Sequence, residues 1–143
     1  MIKFKFNSEP KAIQSVRFTK RGHTYQPQKN VDWKNWIKFQ TVQQLPEDFK
    51  MFYETVEIIK CHFVFAPLKS FSKKKLKLIE DGEIIYKGTK PDLADNLMKG
   101  LMDALSGIVF KDDSLVVSVK DTAKYYGMQP GIILELGKLI KTQ

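Results

Sequence analysis

Residues 90–116 read KPDLADNLMKGLMDALSGIVFKDDSLV. Leu93, Leu97, Leu101 and Leu105 recur every four residues with Met98 and Ala104 beside them, a spacing that lays an apolar stripe along a helix and none along a strand. Asp95, Lys99 and Asp103 follow the same four-residue step on another side. The strongest helix of the chain is therefore expected here, one face core and the other charged. The segments around it carry the period of strands. EIIYKGT (83–89) precedes it, and SLVVSVKDTAKYY (114–126) and IILELGKLI (132–140) follow with the alternation of an antiparallel pair. TVEIIKCHFVFA (55–66), rich in β-branched and aromatic types and closed by Pro67, reads as the middle strand of the sheet. MIKFKFN (1–7) alternates Ile2, Phe4 and Phe6 with lysines, a half-buried strand. In VDWKNWIKFQTVQ (31–43), Val31, Trp33, Trp36, Ile37, Phe39 and Gln40 form a stripe only under helical spacing, and both tryptophans are assigned to the core. Residues 8–30, polar and basic, read as an exposed loop or hairpin; 70–83 receive no element beyond a turn at Asp81-Gly82. The expected fold is α+β: a single compact domain spanning 1–143, a mixed sheet with two main helices packed on it.

At 143 residues and 16.6 kDa there is room for one core. A 43% hydrophobic, 12% aromatic composition excludes disorder and low-complexity architectures. The apolar runs are too short to span a bilayer, and the N-terminus alternates charge where a secretion signal would be apolar. Cys61 is the lone cysteine, so no intramolecular disulfide forms. The expectations are no membrane, no organic cofactor and a cytoplasmic location. Charge divides the chain: residues 1–79 hold 16 bases and 6 acids, residues 80–143 hold 8 bases and 10 acids. A basic half favours polyanions through counterion release, although a solvated lysine surface has the same composition. With 22 lysines and only Arg17 and Arg21 as arginines, backbone attraction is better supported than base reading. Arg17, Lys20, Arg21 and the Lys73, Lys74, Lys75 cluster are the candidate phosphate-binding residues, with Tyr25 as a stacking side chain. Cys61 and His62 are assigned to packing, and His23 to no chemistry.

Asp92 lies at a strand-to-helix junction, Asp95 on the charged helix face, and Asp112 and Asp113 in a turn. Pairing of the strand after that turn with 83–89 would carry one of the latter back toward Asp92. Like charges gather only around a cation. Magnesium, which takes hard oxygen ligands and is commonly held by one or two carboxylates plus substrate phosphate, suits acids so dispersed. Lys99, one turn beyond Asp95, would meet charge developing on a phosphodiester. The structural alternative stays open: an N-cap, an exposed charge ladder and turn residues.

The run Asp92, Asp95-Asn96-Leu97, Lys99, Asp103-Ala104-Leu105 and the pair Asp112-Asp113 resembles the signature of the RusA family of Holliday junction resolvases. RFTKRGHTYQPQKNVDWKNWI (17–37) resembles that family's looser N-terminal pattern of basic residues, a glycine, a tyrosine and a following helix. The family pattern has one residue between its first two acids; here Leu93 and Ala94 both intervene. The resemblance implies a homodimeric, Mg2+-dependent (Mn2+ possible) endonuclease that resolves four-way DNA junctions by paired symmetric nicks in recombination and repair, often phage- or prophage-borne. It implies Asp92, Asp95 and Asp113 as catalytic metal ligands, with Asp112 able to share the ion, and Lys99 as the catalytic lysine. Two alternatives accompany it: a non-catalytic protein binding branched DNA, and a nuclease for flaps and forks.

Overall fold

The computed structural model describes residues 1–11, 17–18, 24–25 and 28–139, with the backbone alone at 17–18 and 24–25. Its strands are β1 (Ile2–Phe6), β2 (Arg17–Phe18), β3 (Thr24–Tyr25), β4 (Val56–Phe65), β5 (Ile85–Tyr86), β6 (Val116–Val119), β7 (Thr122–Tyr126) and β8 (Gly131–Lys138). The α-helices are α1 (Gln28–Gln44), α2 (Lys73–Glu80) and α3 (Lys99–Leu105). A π-helical turn, Leu93–Met98, runs directly into α3, and a 3-10 turn, Asp113–Leu115, precedes β6. The main sheet has six strands in the order β1-β8-β4-β7-β5, with β6 also on β4. β1 and β8, β8 and β4, and β5 and β7 pair antiparallel, whereas β6 and β7 run parallel to β4. The sheet is thus mixed and the fold α+β, as expected.

β4 is central as its composition predicts, with β8 on one edge and β6 and β7 sharing the other. Its buried residues include Val56, Ile58, Cys61, Phe63 and Phe65. The step of three between Ile58 and Cys61 coincides with a register shift in the β8 ladder. A bulge there inserts one residue and returns the following side chains to the core face. Ile2, Phe4 and Phe6 from β1 and Ile132, Leu134 and Leu136 from β8 complete that face. Leu97, Leu101, Ala104 and Leu105 pack on it, so the leucine stripe is core as its spacing requires. The expected pairing of 114–126 with 132–140 is corrected: β4, apolar along its length and buried in the middle of the sheet, lies between these strands and pairs with both.

α1 is also rotated relative to expectation. Its buried residues are Asn30, Trp33, Ile37, Gln40 and Thr41, while Trp36 is 48% and Phe39 52% exposed, stacked on each other at 5.7 Å. The reason lies in two glutamines. β1 is an edge strand, and edge strands leave N–H and C=O groups unpaired. Gln44 Oε1 accepts the Lys5 N–H at 2.8 Å while its Nε2 donates to the Lys5 carbonyl at 3.0 Å. Gln40 Oε1 accepts the Asn7 N–H at 2.9 Å, and its Nε2 donates to Ser8 Oγ at 3.1 Å. Turning these polar groups inward turns Trp36 outward. Residues 73–80 form α2, capped by Ser72 Oγ accepting the Lys75 N–H and followed by Gly82 in the left-handed region. Their short length and lysine content conceal the helix from a periodicity argument.

Candidate active site

The acidic residues stand where β5 hands over to the helix. Asp92 is the N-cap of the π turn, extended at φ −68°, ψ 140°. Its carbonyl accepts the Leu97 N–H at 3.1 Å, an i to i+5 bond, and its own N–H donates to Asn96 Oδ1 at 3.2 Å. Asn96 therefore does the capping, and the Asp92 carboxylate makes no cap hydrogen bond. An i to i+5 turn encloses one residue more than an α-turn. The two residues between Asp92 and Asp95 lie at the start of this wider turn, and Leu97 and Leu101 are in the core.

Asp92, Asp95, Lys99 and Asp113 are exposed. Among the described residues none of these four side chains has a hydrogen bond or ion pair. Asp103 differs: it pairs with Lys34 and ties α3 to α1, so it is structural. The members of the Asp112-Asp113 pair also part company. Asp112 Oδ2 accepts the Ser114 N–H at 3.1 Å and caps the 3-10 turn, and Ser114, through its side chain first and its backbone N–H second, holds the Asp112 carboxyl below the usual range. The turn lies against α3. Among the described residues no three His, Cys, Asp or Glu side chains come together as a ready metal cage. Asp92 and Asp95 still offer unengaged hard-oxygen donors at one helix start, and this donor chemistry fits a hard divalent cation that keeps waters and takes only one or two protein carboxylates.

The lysine cluster expected to meet phosphate stands on α2. Lys73 and Lys74 are exposed in its first turn, and Lys75 Nζ lies 4.0 Å from the centroid of the Phe71 ring. No acid accompanies them in that turn. Lys20 and Arg21 lie outside the described residues, as do the side chains of Arg17 and Tyr25; the backbone of 17–18 and 24–25 forms an antiparallel ladder. Cys61 is fully buried and its thiol is pushed up by desolvation, in keeping with a packing role.

Sequence reasoning gave no role to Lys124 or Lys87 and assigned His62 to packing alone, where the structure gives all three side chains polar partners. Lys124 Nζ donates to the carbonyls of Thr89 and Pro91, each at 2.7 Å. Lys87 Nζ donates to Thr89 Oγ1 at 3.0 Å. His62 is held between Asp121 Oδ1, 2.9 Å from Nε2, and the Tyr125 hydroxyl, 3.1 Å from Nδ1. The parallel register of β4 and β7 brings His62 beside its partners, and no spacing in the sequence signals that pairing.

An uncharacterized protein of Bacillus subtilis (strain 168), YqaN, is 33% identical over 134 residues, 92% of each chain. The model of the family described as endodeoxyribonuclease RusA matches residues 7–137, from the start of the polar segment through β8. With that match covering the acidic helix and all of the main sheet's strands but β1, the chain belongs to the RusA endodeoxyribonuclease family.

Proposed function

We propose that this chain is a divalent-metal-dependent, structure-selective endodeoxyribonuclease that resolves Holliday junctions by paired symmetric nicks, using Mg2+, with Mn2+ as a substitute. The observation that carries this reading is the pair of exposed, unengaged carboxylates of Asp92 and Asp95 at one helix start, with Lys99 a turn beyond Asp95. Asp92, Asp95 and Asp113 would hold the ion. Asp112, with one oxygen already on Ser114, is the weaker ligand of its pair. When bound, the ion supplies an acidified water and a polarised phosphoryl oxygen. Lys99 contributes a positive charge toward the oxygen that becomes negative as the phosphodiester opens. Lys73, Lys74 and Lys75 sit where the helix dipole disfavours cations, so a polyanion is the partner that makes their placement favourable; Arg17, Lys20, Arg21 and Tyr25 would extend that surface. Paired cuts need two centres, which a two-fold homodimer provides. Among the described residues no helix is long and apolar enough to cross a membrane, and a DNA substrate places the work in the cytoplasm.

The test is cleavage of a synthetic four-way junction, a fork and a linear duplex, with and without Mg2+, by wild type and Asp95→Asn. Mg2+-dependent symmetric products from the junction alone, lost in Asp95→Asn, are expected. Equal cutting of the fork would identify a general branch nuclease. The lack of a ready three-acid cage among the described residues favours one other reading, a branched-DNA-binding protein without catalysis. Tight junction binding with no product at any Mg2+ or Mn2+ concentration would establish that instead.

A further inference from the structure

The segment that delivers Asp92 has little of its own to hold it. Gly88, Thr89 and Lys90 are exposed, and β5 ends at Tyr86. Beyond the Lys87 N–H, which donates to the Lys124 carbonyl at 3.1 Å, no backbone ladder with β7 continues. The attachment is made by side chains. Lys124 lies on β7 opposite Phe63 in the parallel register, on the face of the sheet that carries the core. Its ammonium reaches the Thr89 and Pro91 carbonyls at 2.7 Å each. Lys87 holds the Thr89 hydroxyl and approaches the Tyr126 hydroxyl at 3.4 Å. Pro91 is the residue immediately before Asp92.

We propose that Lys124 is a positioning residue: by clamping the Thr89 and Pro91 carbonyls to the sheet it fixes the backbone from which the Asp92 carboxylate projects, and so sets the divalent-metal affinity of the site. This rests on the nuclease reading above. An ammonium engaged by two carbonyls donates to protein, and its role differs from that of a lysine reserved for phosphate. Supporting groups behind a metal ligand commonly contribute about 10- to 100-fold in metal affinity or activity. Lys124→Met removes both bonds and keeps an unbranched apolar stem. Lys124→Arg keeps donors for two carbonyls.

The experiment compares wild type and these variants by Mn2+ binding in electron paramagnetic resonance titrations, by amide hydrogen exchange over residues 88–92, and by junction affinity in Ca2+ at several salt concentrations. Lys124→Met should bind Mn2+ about 10-fold more weakly and exchange faster at 88–92. Its junction affinity should stay within about twofold and its salt slope unchanged, since Lys124 neutralises no phosphate. Lys124→Arg should recover a large part of both losses. Should the methionine variant fail to fold, Lys124→Gln, which keeps a donor but is too short to span both carbonyls, gives the same comparison. Unchanged Mn2+ affinity would overturn the proposal, as would a defect confined to junction binding with a shallower salt slope. Wild type that bound no Mn2+ at all would remove the nuclease reading and the clamp together.

Discussion

The seam between α1 and β1 and the start of the acidic helix are both places where a helix meets the rim of the sheet, and they treat polar groups in opposite ways. At the seam, Gln40 and Gln44 satisfy the backbone of Lys5 and Asn7 with three hydrogen bonds, a fourth going to the Ser8 hydroxyl, and Phe6 beside them is fully buried. At the helix start, Asn96 takes over the capping, and the Asp92 and Asp95 carboxylates stay in solvent. A polar group with a protein partner contributes to folding; the exposed carboxylates of Asp92 and Asp95 have none among the described residues, and the proposed function assigns them a partner from outside. Substitutions in the two regions should therefore separate stability from catalysis.

The largest effect is expected at the seam. Phe6→Ala empties a fully buried site in the edge strand and should lower the unfolding free energy by about 3–5 kcal/mol, measured by urea denaturation. Cleavage per folded molecule should persist at low temperature. Asp95→Asn should do the reverse: a fall of about 10²- to 10³-fold in the cleavage rate, with an unfolding midpoint close to that of wild type, because relief of repulsion with Asp92 offsets the loss of an acid from the first turn of the helix. If instead the midpoint fell with activity, Asp95 would belong with the structural acids, as Asp103 does through Lys34.

That contrast also explains which features the sequence made legible. The leucine stripe of 93–105 and the apolar run of β4 announce themselves because each repeats one period over enough residues to exclude the other. The π turn is invisible to that reasoning, since it alters the helix by a single residue and leaves Leu97 and Leu101 on the core face. The stripe drawn through 31–40 holds Trp36 and Gln40 alike, whereas only the glutamine faces inward, because an unpaired edge strand gives its amide the stronger claim to the interior. At the site, the acids were legible as residue types at suggestive spacing. Lys124 was not, because its bonds to Thr89 and Pro91 run between segments about 35 residues apart in the chain and go to carbonyls, which every residue carries.

The lysine cluster on α2 gives a weaker and graded effect. Changing Lys73, Lys74 and Lys75 together to Gln should leave the metal dependence of cleavage intact and reduce the slope of log affinity against log salt by up to about 0.9 for each phosphate no longer neutralised. The helix itself should become slightly more stable, since three cations leave its positive end. An unchanged slope would make the cluster ordinary solvated surface and move the DNA face elsewhere.

The smallest effect distinguishes neighbours in sequence. Asp112 is held below the ordinary carboxyl range because Ser114 donates to it, so its contribution to stability is present above the ordinary value of 3.8 and fades as pH falls through the lower folded value. Asp112→Ala should therefore lower the unfolding midpoint slightly at pH 6, with the gap to wild type closing as the pH is taken below 3.8. Asp113, which has no such bond among the described residues, should lose more cleavage than Asp112 when changed to Ala. Were Asp112→Ala the more damaging to cleavage at pH 6 while leaving the midpoint unmoved, the cap would be incidental, and Asp112 would replace Asp113 among the metal-holding acids.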